Sequence, residues 1–427
     1  MRIHVILSVT LAGVVAVSAS QRRGDPAATP PAAEQNWRVW GGPQRDFVTT
    51  ATGLFPPGAQ WLSTPPRKIW ERPLGDGYSA IAVEDGILYT GYRKGQNDVI
   101  VALNADTGAT VWEFSYAAAF SNAFAEVAGG PYSMPQVIGD RVVTASGTGL
   151  VHSLDKKTGK PTWSYDLYSQ AGGNRLPHGY SSHPLPYKDS LIVLAGGNGN
   201  AVLRLRQTDG GVVWQKQRFD SAYASPLLID VDGQPQVVLF VADAVIGVDP
   251  ETGDLLWRHE HKTEYGIAAS TPVWAPGNLL FISSAYGNGG RALKLSKSGN
   301  TTQVQQLWYH PRLQAHFGTA VRQGGFVYMS SGQSVGILTA VELATGRVAW
   351  QARDFVKAQL LAADGKLIIL DEDGTLGLGV ATPERFQAVA KWPMLSSIAW
   401  TPPTLAGHRL FLRDRKVIMA LDLTSIK

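Results

Sequence analysis

The feature that most constrains this chain is a set of eight tryptophans at nearly regular intervals. Neighbouring members of the set are 42 to 51 residues apart. A repeat of this length is typical of propellers and related arrays, in which each repeat is one supersecondary unit and neighbouring units share a core. The eight positions are Trp70, Trp112, Trp163, Trp214, Trp257, Trp308, Trp350 and Trp392. We therefore predict that most of the 427-residue chain forms one repeat domain.

The residues that precede the tryptophans also repeat. In residues 101–112 an apolar stretch is followed by Asp106-Thr107-Gly108, and Trp112 comes four residues after the glycine. The same Thr-Gly pair precedes Trp163, Trp257 and Trp350 at that spacing. A strand that ends in a polar, glycine-containing turn and continues into a second strand is a β-hairpin. The tryptophan lies on the second strand, and we assign all eight a structural role between neighbouring units.

Two further strand patterns precede each hairpin, as in residues 79–83 and 87–90 of the first repeat. Four strands per repeat make a propeller blade. The last repeat starts near Ile398 and has sequence for only three strands, so residues 68–71 would supply the fourth and remove the free sheet edges. The prediction for residues 67–427 is an all-β, eight-bladed β-propeller of four-stranded antiparallel blades, closed by an N-terminal strand in the last blade.

The N-terminus has the composition of an export signal. Arg2 precedes an apolar run over residues 5–17, and small residues follow at 17–19. We predict a signal peptide at 1–19 and a periplasmic or secreted protein; an uncleaved anchor or a buried strand is the alternative. Residues 20–36 have linker composition, whereas 37–66 contain three tryptophans and two phenylalanines and are expected to dock on the propeller. Whether they plug the channel or wrap the rim stays open.

Composition excludes several classes of function. The chain contains no cysteine, so it has no disulfide, thiolate metal site, cysteine nucleophile or lipid-attachment thiol, and we expect no stable membrane insertion after signal cleavage. The net charge is only +4 and no run of Lys and Arg stands out, which argues against a nucleic-acid partner. No metal site is predicted, because His259 and His261 supply two ligands without a third.

The pattern Leu-Asp-x-x-Thr-Gly-x-x-x-Trp resembles the repeat of pyrroloquinoline-quinone-type (PQQ-like) propellers. That superfamily includes quinoprotein alcohol dehydrogenases and the propeller lipoprotein of the outer-membrane barrel-assembly machine. The stretch 37–46, together with 75–79, is similar to secreted bacterial PQQ-like repeat proteins. For a dehydrogenase the resemblance implies a quinone in the channel, Ca²⁺ held by carboxylate and Asn side chains, and an Asp base. The cysteine pair common in those enzymes and the anchoring cysteine of the lipoprotein are both missing here.

A ligand would sit at the mouth of the central channel, where the heads of the inner strands converge. Aromatic and hydroxyl side chains there resemble the sparse polar set of a small-molecule pocket. Alternatively, Tyr and Ser recur there because the repeat recurs, and they satisfy backbone groups where blades meet. The candidate ligand-binding positions are Tyr78, Tyr132, Tyr180, His183, Tyr223, Ser270, His316, Gln359 and Trp400, with Arg93, Arg291 and Arg413 as possible contacts for an anionic quinone.

We assign no catalytic residue from the sequence. His183 and His316 are the least repetitive members of the ring, and they are the candidates for acid–base chemistry or ligand contact. Two hypotheses of different class follow. The first is an exported, non-catalytic propeller that binds a protein, peptide or glycan partner through its faces and central channel. The alternative is a quinone-dependent alcohol dehydrogenase that uses PQQ and Ca²⁺; hydrolytic or lyase chemistry on a propeller is a third, less favoured option.

Overall fold

The computed structural model describes residues 35–55, 63–120 and 129–426. The predicted signal peptide and all but the last two residues of the predicted linker lie outside these residues, as do 56–62 of the stretch 37–66. The described chain is built from 32 strands in eight four-stranded antiparallel sheets, each a propeller blade. The predicted fold class is therefore confirmed. No helix within these residues is both long and apolar enough to cross a bilayer.

The strands of each blade follow one another in the chain, and the first of the four is the innermost. Blade 1 contains β2 (Ala82–Glu84), β3 (Ile87–Lys94), β4 (Asn97–Asn104) and β5 (Thr110–Ala117). Blade 2 contains β6 (Gln136–Ile138), β7 (Arg141–Ala145), β8 (Leu150–Asp155) and β9 (Pro161–Asp166). Blade 3 contains β10 (Leu185–Tyr187), β11 (Ser190–Leu194), β12 (Gly197–Arg206) and β13 (Val212–Phe219). Blade 4 contains β14 (Leu227–Val231), β15 (Gln234–Phe240), β16 (Ala244–Val248) and β17 (Leu255–Glu260).

The second half of the ring repeats this arrangement. Blade 5 contains β18 (Val273–Ala275), β19 (Leu279–Ser284), β20 (Gly289–Ser298) and β21 (Thr301–His310). Blade 6 contains β22 (Val321–Gln323), β23 (Phe326–Ser331), β24 (Ile337–Glu342) and β25 (Val348–Ala352). Blade 7 contains β26 (Ala358–Ala363), β27 (Lys366–Asp371), β28 (Thr375–Ala381) and β29 (Phe386–Pro393). Blade 8 contains β30 (Thr404–Ala406), β31 (Arg409–Arg413) and β32 (Val417–Ile426), with β1 (Pro66–Pro73) as its outer strand.

Strand β1 closes the ring by pairing antiparallel with the C-terminal strand, and Trp70 lies opposite Ala420. This closure is the one predicted from the three-stranded last repeat. Two inner strands begin later than the sequence pattern suggested: β2 starts at Ala82 instead of Ser79, and β22 starts at Val321 instead of Thr319. The residues that precede the inner strands form loops, here called the leading loops, that run toward the axis.

The core lies in the wedges between blades. Four separate apolar clusters fill the wedges of blades 2/3, 3/4, 4/5 and 5/6, and the largest cluster runs through blades 6, 7, 8, 1 and 2. That largest cluster also contains Trp37, Phe47 and Leu54 from ahead of the propeller. Burial of apolar surface at about 25 cal/mol per Å² makes these wedges the main source of stability in a chain without disulfides.

Six of the eight repeat tryptophans pack on the turn of the following blade and donate to a carbonyl there. Gly159, at φ +69°, lies under the Trp112 ring, so that a methyl group at this position would stand 2.4 Å from Trp112 Cε3. The Nε1 of Trp112 donates to the Lys156 carbonyl of the same turn at 3.0 Å. The turn glycine is thus required both for its left-handed backbone and for the close approach of the indole.

The Gly159→Ala variant is expected to lose about 2–4 kcal/mol of unfolding free energy, because it adds left-handed strain to a clash with Trp112. Gly139→Ala is the matched control, since Gly139 lies in the same blade at φ +58° with nothing within 4 Å of an added methyl. It should cost only the strain, about 1 kcal/mol. Denaturant unfolding measures both values, and equal losses would contradict the packing role.

Candidate functional site

The leading loops bring a ring of aromatic side chains together at one end of the central axis, here called the mouth. Tyr78 stacks on Trp400 at a centroid distance of 4.9 Å and on Tyr132 at 6.5 Å. Trp400 contacts Phe317 at 4.8 Å, and Phe317 contacts His316 at 4.7 Å. The series therefore joins loops of blades 2, 1, 8 and 6 across the axis.

Further aromatic residues extend the mouth over blades 3, 4 and 5. His316 contacts Tyr286 at 5.2 Å, and Tyr286 contacts Tyr265, whose side chain is 65% exposed. Tyr223 of the blade 4 leading loop lies 5.8 Å from His178. The prediction from sequence did not include Phe317, Tyr265 or His178; the position of Phe317 directly after His316 was the only available signal.

The ionisable groups beside the mouth are engaged with one another. Arg415 donates from Nε and Nη2 to the two carboxylate oxygens of Asp76, at 2.6 Å each, and this pairing raises the pKa of Arg415. Glu372 accepts a hydrogen bond from Trp400 Nε1 at 3.0 Å and lies 3.5 Å from Lys357 Nζ. The carboxylates of Asp76 and Glu372 are therefore both engaged, and neither is free to act as a base.

His316 is held as a neutral hydrogen-bonding group. Its Nε2 lies 2.6 Å from the Tyr286 hydroxyl. Burial, together with the nearby Lys357, lowers the pKa of His316 to about 4. At neutral pH the imidazole is therefore uncharged and supplies no imidazolium proton for general acid chemistry, and its contact with Tyr286 fixes its orientation.

The hydroxyl residues of the leading loops link one blade to the next. Ser79 Oγ donates to the Ser133 carbonyl at 2.8 Å, and Thr319 Oγ1 donates to the Leu360 carbonyl at 2.8 Å. The remaining links are Ser181 to Tyr223, Ser270 to Gly318 and Thr401 to Tyr78, each from hydroxyl to carbonyl. Ser and Thr therefore recur at these positions of the repeat because their hydroxyl groups form hydrogen bonds between neighbouring blades.

The structure does not bring several predicted positions to the open surface. Tyr180 is buried in the wedge between blades 2 and 3, and Gln359 bridges the Thr319 amide and the Trp400 carbonyl. Arg413 is fully buried; its guanidinium donates to the carbonyls of Ser79, Gly77 and Gly91, and burial lowers its pKa to about 10. Such an arginine secures the joint of blades 8 and 1 and has no free face for an anion.

The other two arginines are also occupied by neighbours. Arg93 forms an ion pair with the buried Asp98 at 2.7 Å and donates to the Ala118 carbonyl. Arg291 donates to Asn288 at 2.5 Å and to Gln306 at 3.1 Å. Arg93 stays within blade 1 and the loop that follows it, whereas Arg291 also reaches His259 and the Glu260 carbonyl of blade 4.

The opposite end of the axis is partly filled by residues 35–55, here called the N-terminal segment. Trp40 stacks on the buried His183 with a centroid distance of 4.0 Å, and its Nε1 donates to Thr271 Oγ1 at 2.9 Å. His183 lies in the interior of the channel, with Nδ1 hydrogen-bonded to Ser225, and burial lowers its pKa to about 3. Trp40 thereby connects blades 3 and 5 across the axis.

The N-terminal segment also pairs with the inner edges of strands. Trp37 and Val83 of β2 exchange two backbone hydrogen bonds, of 2.7 and 2.9 Å. Farther along, Thr49 N donates to the Ala362 carbonyl of β26, and Phe55 N donates to the Leu423 carbonyl of blade 8. The segment crosses the ring from blades 1 and 2 to blades 7 and 8.

The residues do not fit a Ca²⁺-bound quinone. No group of three or more His, Asp or Glu side chains that could hold a metal exists within the described parts of the chain. Asp371, the last residue of β27, is buried and accepts a hydrogen bond from the Thr375 amide.

Burial of His183 predicts a pH-dependent loss of stability. Its pKa in the folded state lies below that of an exposed histidine, so the unfolded chain binds protons first and stability falls as pH drops from about 6.5 toward the folded pKa. His183→Asn, which can keep the contact to Ser225, should reduce that slope by about 1 kcal/mol per pH unit in this window. Unfolding free energies of both proteins between pH 7 and 4 test this; parallel curves would contradict it.

The chain is similar to known propellers over most of its length. The sequence model of the family described as outer membrane protein assembly factor BamB matches residues 96–352. The protein of that name from Escherichia coli (strain K12) is 26% identical over 371 residues, covering 73% of this chain and 88% of the relative. The Yersinia pestis protein is 25% identical over 332 residues, covering 73% and 76%.

Two solved structures share the fold. BamB from Moraxella catarrhalis superposes with a TM-score of 0.60 at 18% identity, covering 84% of this chain and 99% of that one. The quinohemoprotein alcohol dehydrogenase of Comamonas testosteroni gives 0.65 at 11% identity, covering 92% and 81%. At these identities the structures establish the architecture alone, whereas the family match extends over more than half of the sequence. The chain therefore belongs to the family of the outer membrane protein assembly factor BamB, within the PQQ-like propellers.

Proposed function

We propose that this protein is an exported, non-catalytic propeller that binds a protein partner at its mouth and acts as an assembly factor for outer membrane proteins. The observation that carries the proposal is the composition of the mouth. Its surface is formed by aromatic rings from at least six blades, while the adjacent charged groups are paired within the protein. Aromatic side chains on a rigid frame are typical anchors of protein interfaces.

The rigidity of the mouth supports a binding role. The hydroxyl-to-carbonyl contacts hold each leading loop to the next, and the buried Arg413 ties three carbonyls at the joint of blades 8 and 1. The aromatic side chains are therefore positioned before a partner arrives. Preorganisation of this kind reduces the entropy lost on binding.

The names of the relatives supply the biological setting. The family and the curated relatives are described as outer membrane protein assembly factors. A partner that takes part in assembling proteins into the outer membrane is consistent with the predicted export of this chain. Export itself depends on residues 1–19, which the structure does not describe.

The proposal is tested by placing a photo-crosslinking amino acid at Tyr265, the most exposed ring of the mouth, in cells of the source organism. We expect a crosslink to a component of the outer-membrane assembly machinery, identified by mass spectrometry. Val111 on the outer strand of blade 1, which is 50% exposed, is the control position on the rim. Equal crosslinking at both positions, or none at Tyr265, would argue against the mouth as the interface.

The dehydrogenase alternative is tested separately. The purified protein is mixed with pyrroloquinoline quinone and Ca²⁺, then examined by calorimetry and by alcohol-dependent dye reduction. We expect neither saturable binding nor turnover, because the carboxylates near the mouth are paired or buried and supply no metal-binding group. Micromolar binding accompanied by dye reduction would overturn the non-catalytic assignment.

A further inference from the structure

The N-terminal segment fills only part of its end of the axis. Its backbone pairs with the inner strands of blades 1, 2 and 7, through Val83, Val137 and Ala362. The inner strands of blades 4, 5 and 6 face the remaining space. Within the described residues, no backbone hydrogen bond reaches β14, β18 or β22 from outside its own blade.

A cavity of about 380 Å³ occupies this space, bounded by residues 44–47 on one side and by the three unpaired inner strands on the other. Its wall is about equally polar and apolar, and the apolar part includes Leu227, Val273, Trp274 and Ala320. Cavities of this size are in the range that accommodates small ligands or one to two amino-acid residues. It opens on the face opposite the mouth, so it is distinct from the interface proposed above.

Thr271 also lines the cavity, and its Oγ1 accepts a hydrogen bond from Trp40 Nε1 of the N-terminal segment. The cavity is therefore bounded there by a contact between that segment and blade 5.

Two arginines give the cavity an excess of positive charge. Arg45 and Arg322 line it together with a single carboxylate, that of Asp46, which lies close enough to Arg322 to interact with it electrostatically. Arg45 Nη2 donates to the Pro186 carbonyl, but Arg45 Nη1 and Arg322 Nε are buried with no hydrogen-bond partner among the described residues. Buried donors without acceptors are costly, and a carboxylate is the acceptor that arginine pairs with best.

We propose that this cavity binds the C-terminal end of an extended peptide with an apolar last residue. The terminal carboxylate lies beside Arg45 and Arg322, and the last side chain packs on the apolar wall near Trp274. The backbone adds to the inner edge of β18 or β22, in the way that the N-terminal segment adds to β2 and β26 in the same ring.

The test is calorimetric titration of the full chain with the acetylated tetrapeptide Val-Thr-Val-Phe carrying a free C-terminal carboxylate. We expect saturable binding, and Trp274 should give a fluorescence change in the same concentration range. The C-terminal amide of the peptide should bind at least about tenfold more weakly, because it lacks the charge that pairs with the arginines. The free acid 3-phenylpropionate should also bind more weakly, since it has no backbone to pair with an inner strand.

The variant Arg322→Gln should lower the affinity for the free acid by about tenfold and leave the affinity for the amide nearly unchanged. Arg347→Gln is the matched control, because Arg347 is an exposed arginine of the same blade that does not line the cavity. Photo-crosslinking at Tyr265 should be unaffected by either substitution, so failure of this site and failure of the mouth can be told apart.

Three results would overturn the assignment. They are absence of saturable binding of the free acid, equal affinities of the acid and the amide, and unchanged affinity in Arg322→Gln. Equal affinity of 3-phenylpropionate and the tetrapeptide would replace the peptide by a small apolar carboxylate as the ligand of the same cavity.

Discussion

The contact on which the architecture depends is the packing of a repeat tryptophan on the turn of the next blade. In six of the eight cases the indole Nε1 donates to a backbone carbonyl of that turn, and in five the turn glycine lies under the ring. The contact joins an outer strand to the neighbouring blade, so it fixes the angle between blades as well as their separation. Six contacts of this kind around the ring help to determine where the leading loops converge.

The two exceptions show why the contact needs the turn. Trp257 precedes blade 5, whose β20–β21 turn is shifted by extra residues, and its Nε1 instead donates to Gln236 of its own blade. Trp392 precedes blade 8, in which β32 and β1 come from opposite ends of the chain and no turn joins them. Its Nε1 has no partner among the described residues. At the next joint, between blades 8 and 1, the buried Arg413 adds hydrogen bonds to carbonyls of blade 1.

The sequence predicts the frame of this molecule better than its surfaces, for a physical reason. Blade number, strand order and closure follow from period and hairpin chemistry, which are local. Tyr78, Tyr132 and Trp400 meet because equivalent positions of equivalent loops must meet in a ring. By contrast, the course of the N-terminal segment depends on long-range packing that the repeat pattern does not contain. Trp40 of that segment covers His183, which therefore lies in the interior. Likewise, nothing local indicates that Arg413 turns inward whereas Arg415 stays at the surface.

The two ends of the axis differ chemically because different parts of the chain form them. At the mouth, interblade hydroxyl contacts leave aromatic faces outward and pair the charges with one another, which favours recognition over proton transfer. At the other end, a non-repeating segment enters an eightfold frame and can pair with only some of the inner strands. The inner-strand edges that the segment does not reach therefore have no backbone partner from outside their blades. Arg45 Nη1 and Arg322 Nε beside them have no hydrogen-bond acceptor among the described residues. A cavity remains there because the ring offers eight equivalent inner strands, whereas the N-terminal segment has no repeat and pairs with only some of them.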